Sequence, residues 1–378
     1  MVKTDYDIAI VGGGLAGLAT AIQLAKKAYS VVLFEKEEYP FQKVCGEYVS
    51  LESWAFLESL GLPLHKMSLP LIDTLQLTAP NGKELFTKLP LGGFGISRYL
   101  LDKSLADIAA KSGVTILQKT KVDDAKKQDD LFVISFPGNA IKTKVCCAAY
   151  GKRNNLDVKW KRPFLRQTSS RLNNYIGIKY HVKTDWKDNV IGLHNFENGY
   201  CGISKIEGNE YCLCYMTKAE NLKACDNSIE ALQENILAQN PHLKKIFSQS
   251  EVMKDFPVTI SQINFGAKEK VQDGILMLGD AAGMITPLCG NGMSIALHTA
   301  KLAAALIDAF LQGKFSQSEM EEAYKKQWNK AFASRLKAGR FIQSFFGGKR
   351  LSNFFVGTFK AFPFLTKPVI KLTHGKPF

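Results

Sequence analysis

A run of apolar residues that breaks into three glycines and restarts as a helix constrains this chain more than any other feature. Residues 5–27 read DYDIAIVGGGLAGLATAIQLAKK. Tyr6 to Val11 make a continuous apolar strand, as expected in a parallel sheet buried on both faces. Gly12, Gly14 and Gly17 fit the G-x-G-x-x-G spacing, with Leu15 and Ala16 between the last two, and a helix is predicted from about Leu15 to Lys27. That spacing serves a tight strand-to-helix turn, close backbone approach to a pyrophosphate at the helix N-terminus, and helix-strand contact without a Cβ. The next strand, Val31 to Glu35, ends on a carboxylate placed to accept hydrogen bonds from ribose hydroxyls, with Lys36 beside it. Its charge disfavours a 2′-phosphate. This constellation fits NAD and FAD alike.

Further along, SLESWAFLESLGL predicts a short amphipathic helix with Ser50 as N-cap and Gly61 as stop. Asn81-Gly82 sits between two alternating runs and predicts a hairpin. A helix is expected from Tyr99 to Lys111, strands at VTILQ, LFVISF and KVCCAAYG, and an antiparallel sheet between Tyr175 and Met216. A helix near Ser228 to Gln239 precedes the buried strand in GILMLGDAAG, and a long small-residue helix runs from about Asn291 to Leu311. Rossmann pieces therefore recur at the start, middle and end of the chain, with meander pieces between them. The expected fold class is α/β. A dinucleotide-binding domain (1–70, 95–160, 265–315) is interleaved with an antiparallel-sheet substrate domain (71–94, 161–264), and a helical C-terminal region follows (316–378).

The late segment GDAAGMITPLCGNGMSIALHTAKLAAALI resembles the second flavin motif of the FAD-dependent oxidoreductases that share the p-hydroxybenzoate hydroxylase fold. The resemblance implies FAD as cofactor, with Gly279 and Asp280 near the ribityl chain. It also implies that Pro287, Gly290, Gly292 and Met293 lie beside the pyrimidine end of the isoalloxazine. A helix start aimed there stabilises the negative charge gained on reduction. EKEEYPFQKVCGEYVSLES resembles the CGxxxS segment of geranylgeranyl reductases, which implies that Cys45, Gly46 and Glu47 stand near the flavin. GISRYLLDKSLADIAAKSG resembles the helix that touches FAD through an arginine, here Arg98. The closing THGKPF is also similar to the chain ends of that branch.

The pattern breaks in two places. Hydroxylases of this fold usually carry Asp-Gly where this chain has Tyr150-Gly151, followed by Lys152 and Arg153; this weakens the case for an NAD(P)H-dependent aromatic hydroxylase. The reductases commonly carry Tyr-x-Trp-x-Phe-Pro where this chain has Tyr200, Cys201, Gly202 and Ile203. Halogenases of similar fold are disfavoured because no Trp-x-Trp-x-Ile-Pro occurs. Since a flavin carries the electrons, the protein supplies orientation and one proton. Candidates for that chemistry are Cys45, Glu47 and Tyr200; His181 and His194 read better as satisfied sheet histidines. The expected activity is reduction of a carbon-carbon double bond in a hydrophobic isoprenoid or polyketide-like substrate. Hydroxylation of an aromatic or phenolic lipid is the alternative. No separate nicotinamide fingerprint is visible, so NAD(P)H or another donor stays open.

Composition closes off other classes. Eight cysteines and six histidines show no metal-ligand spacing, so no metal is expected. No cleavable leader or transmembrane run is read from the sequence, and a cytoplasmic location is expected. The net charge of +14 is concentrated at one end: twelve Lys or Arg and no acidic residue follow Glu322. Within that tail Tyr324, Trp328, Phe332, Phe341, Phe345, Phe354, Phe355 and Phe359 recur at near-helical spacing. Such a stripe either packs against the dinucleotide-binding domain or meets an anionic membrane peripherally. Nucleic acid is not an expected partner, because no recognition motif accompanies the charge.

Overall fold

The computed structural model describes residues 4–166, 174–253, 256–286, 288, 290–345 and 348–378. The chain opens with β1 (Tyr6–Val11), α1 (Leu15–Ala25) and β2 (Val31–Phe34). Gly12 turns between strand and helix at φ 109°, where a Cβ would lie 2.6 Å from the carbonyl carbon of Ala149. After β3 (Tyr48–Ser50), the Ser50 hydroxyl caps a 3₁₀ turn leading into α2 (Trp54–Leu60), and Gly61 ends α2 in the left-handed region. The Asn81-Gly82 turn joins β4 (Leu71–Thr78) to β5 (Glu84–Gly95), and Ser97 caps α3 (Arg98–Lys111). Next come β6 (Thr115–Leu117), β7 (Asp124–Gln128), β8 (Leu131–Phe136), β9 (Asn139–Ala148) and α4 (Asn155–Lys159).

The middle of the chain runs through β10 (Tyr175–Lys183), β11 (Val190–Phe196), β12 (Gly199–Lys205) and β13 (Tyr211–Lys218). Helices α5 (Ala219–Lys223), α6 (Ile229–Asn235) and α7 (Pro241–Gln249) follow, then β14 (Glu251–Val252) and β15 (Val258–Ile263). The last elements are β16 (Val271–Gln272), β17 (Ile275–Met277), α8 (Gly292–Leu311), α9 (Gln317–Phe345), α10 (Lys349–Ala361) and α11 (Thr366–Thr373).

One sheet orders parallel strands β17-β9-β1-β2-β6, with β16 antiparallel at an edge and the β7-β8 hairpin beside β9. Ile8 pairs with both Val31 and Val145, so β1, β2 and β9 end together. Their C-terminal edge therefore gathers the glycine turn, the Ala149–Gly151 segment and the Leu278–Asp280 turn, the place where open α/β sheets bind ligands. The second sheet orders β14-β10-β13-β12-β11-β4-β5-β3 and is antiparallel apart from the β11-β4 pair, with β15 added to β10. Side chains alternate across it. Ile178, Val182, Leu213 and Tyr215 belong to a core that includes Leu232, Leu243 and Ile246 from the α6-α7 region. Gly177, Met216, Tyr200, Gly202, Leu193 and Leu77 line the cavity between the sheets.

The first half of the aromatic stripe is core. Met320, Tyr324, Trp328, Phe332 and Leu336 of α9 are buried with α8 and the first sheet, and the Tyr324 hydroxyl donates to the Met277 carbonyl at 2.5 Å. Among the described residues, α8 alone is long and apolar enough to cross a membrane, yet half of its apolar window is buried between α1 and α9.

Candidate active site

A cavity of about 1090 Å³ begins at the C-terminal edge of the parallel sheet and continues beneath the second sheet. Gly12, Gly14, Leu15, Ala16, Glu35, Lys36, Cys45, Gly46, Arg98, Gly279, Asp280, Gly290, Gly292 and Met293 all border it. Gly17 does another job: a Cβ there would lie 2.0 Å from the Gly12 carbonyl oxygen, so it lets α1 leave the turn at all. Pro287 lies outside the described residues, as does Cys289.

The polar groups at the first end suit a dinucleotide. Gly14 faces open space, for a Cβ there would meet only Arg98 Nη2 and Lys43 Nζ, each at 3.9 Å. Both cations rest on buried Asp102, Arg98 through two bonds of 2.8 Å and Lys43 through one of 2.9 Å. Glu35 accepts from the Gly13 N–H at 2.9 Å and from the Glu37 N–H at 3.1 Å, which fixes the carboxylate at the cavity wall. At the other end of the first compartment, Tyr48 Oη and Asn291 Oδ1 are buried in the cavity lining without a hydrogen-bond partner. Buried orphans of this kind cost about 1–3 kcal/mol each. A ligand presenting polar edges between the glycine turn and the start of α8 relieves that cost, and FAD fits these residues.

Three cations that the sequence analysis did not single out, buried Arg162 and Lys268 and half-buried Lys270, shape the second flavin motif. Lys268 Nζ donates to the Asp280 carbonyl at 2.9 Å, Arg162 Nη2 to that of Ala281 at 3.0 Å, and Lys270 Nζ to that of Ala282 at 3.0 Å. With three successive carbonyls held from behind, the turn is fixed as it passes Asp280 along the cavity. Burial pushes the Lys268 ammonium down to about 8. Arg162 is in turn paired with Asp157 at 2.9 Å, and the hydroxyl of Tyr150 donates to the same carboxylate oxygen at 2.6 Å. Tyr150, standing where the hydroxylases carry Asp, thus belongs to the scaffold under the turn. Lys152 folds back on the Val44 carbonyl at 3.4 Å.

The expected chemical residues separate. Cys45 is half-buried at the cavity wall, its carbonyl accepting from the Cys212 thiol at 3.2 Å, and Tyr200 is buried in the same lining. Glu47 requires a correction to its expected role as proton donor. Its side chain is fully buried; Lys179 Nζ lies 2.5 Å from Oε1, the Arg98 N–H donates to Oε1 at 2.7 Å, and His181 Nε2 donates to Oε2 at 2.6 Å. Burial raises the carboxyl, but the His181 hydrogen bond and the Lys179 charge outweigh it and hold Glu47 below its ordinary value. It is a carboxylate with its lone pairs engaged, so it has no proton to give.

Lys179 is the residue this cluster turns on. It also donates to Gln42 Oε1 at 2.9 Å and the Lys43 carbonyl at 3.2 Å, so one buried ammonium ties β10 to the segment that carries Cys45. The signal was present in the alternation of YIGIKYHVK, which puts Lys179 on the same face as Gly177 and His181. Glu47, His181 and Cys212 bring ligand-type atoms within 4.8 Å of one another. The Lys179 ammonium already occupies that carboxylate and opposes a second cation there. His194 lies on the opposite face, bonded to Thr78 Oγ1 at 3.0 Å and stacked on His242.

Comparison with known proteins agrees with this geometry. A model described as FAD dependent oxidoreductase matches residues 7–43, and one described as squalene epoxidase matches residues 201–338. Digeranylgeranylglycerophospholipid reductase of Methanococcus vannielii is 24% identical over 86% of this chain and 83% of its own length. Its namesake from Methanocaldococcus jannaschii is 25% identical over 85% and 82%. Among solved structures, flavin-dependent brominase Bmp2 superposes with a TM-score of 0.78 at 21% identity, covering 97% of this chain and 93% of that one. A geranylgeranyl bacteriochlorophyll reductase-like protein from Thermoplasma acidophilum gives 0.77 at 18%, covering 97% and 99%. At such identities the structural likeness is one of fold. The turn geometry, the cavity and the sequence matches together mark the chain as an FAD-dependent oxidoreductase, similar along most of its length to the archaeal digeranylgeranylglycerophospholipid reductases.

Proposed function

We propose that this protein reduces carbon-carbon double bonds in a polyprenyl lipid. The observation that carries the reading is the second compartment of the cavity, walled by Leu75, Leu77, Leu89, Ile191 and Leu193 of the second sheet and by Ile370 of α11. A compartment with so apolar a wall suits an isoprenoid chain better than a small polar substrate. The names of the archaeal relatives support the same substrate class.

Bound FAD supplies the hydride; the chain supplies the rest. The glycine turn, Glu35, Arg98 and the start of α8 hold the dinucleotide. Cys45 and Tyr200 face the space between cofactor and lipid, and the Cys45 thiol is the group assigned to deliver the proton. Glu47 and Lys179 keep its segment in place. The electron donor is NAD(P)H or another reductant.

The test is a reduced holoprotein kept free of oxygen and mixed with a detergent-dispersed polyprenyl lipid. Reoxidation of the flavin with a product two hydrogens heavier per turnover supports the reductase. The squalene epoxidase match favours one competing reading, oxygen insertion into a polyprenyl substrate. Reoxidation only after oxygen is admitted, with an oxygenated product, replaces the first reading with the second.

A further inference from the structure

We propose that the α10-α11 segment is a docking face for an anionic phospholipid bilayer, through which lipid enters the second compartment. This rests on the reading of the substrate as a lipid.

The segment has two unlike sides. Phe359, Thr366, Val369 and Ile370 line the cavity, and Val356 is buried. The other side is apolar and uncovered. Leu351 and Phe354 of α10 are exposed at i and i+3, and residues 361 to 365, Ala-Phe-Pro-Phe-Leu, are all exposed between exposed Lys360 and Lys367. Phe364 retains 69% of its surface, Phe354 67% and Phe362 52%, and Leu372 of α11 adds 59%. Chains ordinarily hide aromatic rings or scatter them singly. Here they cluster within about twenty residues.

Charge selects the occupant. Exposed Lys349, Arg350, Lys360, Lys367, Lys371 and Lys376 accompany these rings, and no acidic residue occurs in the segment. A protein partner would need a complementary acidic groove. A bilayer of anionic lipid offers negative headgroups over an apolar interior in one surface, which matches lysines flanking a Phe-Pro-Phe-Leu loop. The inner wall of the same segment is the cavity wall, so docking sets the lipid source against the compartment that receives it.

The experiment uses full-length FAD-loaded protein and sucrose-loaded vesicles that are sedimented. One set is phosphatidylcholine alone; the other is phosphatidylcholine and phosphatidylglycerol in equal parts. Wild type is expected to sediment with the mixed vesicles and not with phosphatidylcholine alone. F362D/F364D is expected to bind at least roughly tenfold more weakly, and K360E/K367E/K371E to do likewise with its residual binding less dependent on salt. Neither variant touches the cavity lining, so both should keep FAD and turn over detergent-dispersed lipid at the wild-type rate. Both should lose turnover of lipid embedded in vesicles. Failure of detergent-dispersed turnover in wild type defeats the substrate reading and leaves the binding result standing. The docking proposal is overturned if wild type ignores mixed vesicles, or if F362D/F364D binds them as wild type does. It is equally overturned if the wild type is a dimer in solution that F362D/F364D dissolves, since the face then belongs to a second copy.

Discussion

Lys179→Met removes one charge from the cluster behind Cys45 while keeping the length and most of the volume of the side chain. Lys179 and Glu47 are both fully buried, 2.5 Å apart. Deleting one partner of such a pair leaves the other charge uncompensated, which costs about 3–5 kcal/mol. With an unfolding entropy of about 2.1 cal/mol/K per residue over 378 residues, the slope is about 0.8 kcal/mol/K. A single cooperative transition should therefore fall by about 4–6 °C. The double variant Glu47→Gln/Lys179→Met, whose amide no longer needs a cation, should melt closer to wild type, with a coupling above about 1 kcal/mol.

The pH dependence provides a second reading. Glu47 is held below its ordinary value of 4.5, so its contribution is complete above that pH and is lost as pH falls through the lower folded-state value. The gap between wild type and Lys179→Met should be widest near neutrality and narrow under acid as Glu47 protonates in both. Flavin retention is read in parallel, because Lys179 also holds the Gln42 side chain and the Lys43 carbonyl. A Lys179→Met protein that melts with wild type at neutral pH and keeps its flavin would refute the role given to the cluster.

Gly14→Val should leave the apoprotein melt nearly unchanged while abolishing flavin absorbance, because its Cβ enters open cavity. Gly17→Ala should instead destabilise the apoprotein itself, since its Cβ would sit 2.0 Å from the Gly12 carbonyl. His194, pushed down to about 3 by burial, stays neutral in the fold while the unfolded chain protonates near 6.5. Stability should decline as pH falls from about 6.5, by at most about 1.4 kcal/mol per pH unit for this group; urea midpoints for His194→Leu should show a flatter slope. Trp328→Ala empties a site against the first-sheet core and beneath Lys270, whose ammonium lies 3.9 Å from the ring. A loss of about 3–5 kcal/mol in a denaturant titration is expected.

What the sequence made legible follows from local chemistry. The Gly12 turn, the Ser50 cap, the Gly61 stop and the Asn81-Gly82 hairpin are each written in adjacent residues, and each is present. The helix expected over 228–239 ends at Asn235, and Asn240 with Pro241 starts a further helix that had not been foreseen. Strand β7, Asp124–Gln128, is too polar to stand out; it exists because β8 pairs with it. At the site, cavity-facing residues matched motif positions because the fold demands them locally. The face of Lys179 was readable from the β10 alternation but its partner Glu47, 132 residues away, was not, and Arg162, Lys268 and Lys270 hold backbone carbonyls of Ala281, Asp280 and Ala282 that no residue type marks. A buried cation is recognisable only once the carboxylate or carbonyl it meets is known.

The distribution of charge around the cavity bears on how one fold supports different chemistries. Brominase Bmp2 and the reductase-like protein share this architecture almost equally well, so the fold does not choose the reaction. What differs must be the groups presented where cofactor and substrate meet. In this chain Glu47 and Lys179, behind the wall that carries Cys45, are spent on each other, and Asp157 is spent on Arg162 and Tyr150. The second sheet adds mainly leucines and isoleucines, with glycines, tyrosines, a methionine and a few hydroxyls, to the wall. A site so arranged strengthens electrostatic effects by excluding water but offers few groups able to exchange protons. Hydride transfer to an apolar alkene, the reaction proposed above, needs one proton and little else from the protein, and a half-buried thiol at the cavity wall such as Cys45 would meet that need without any buried charge having to change.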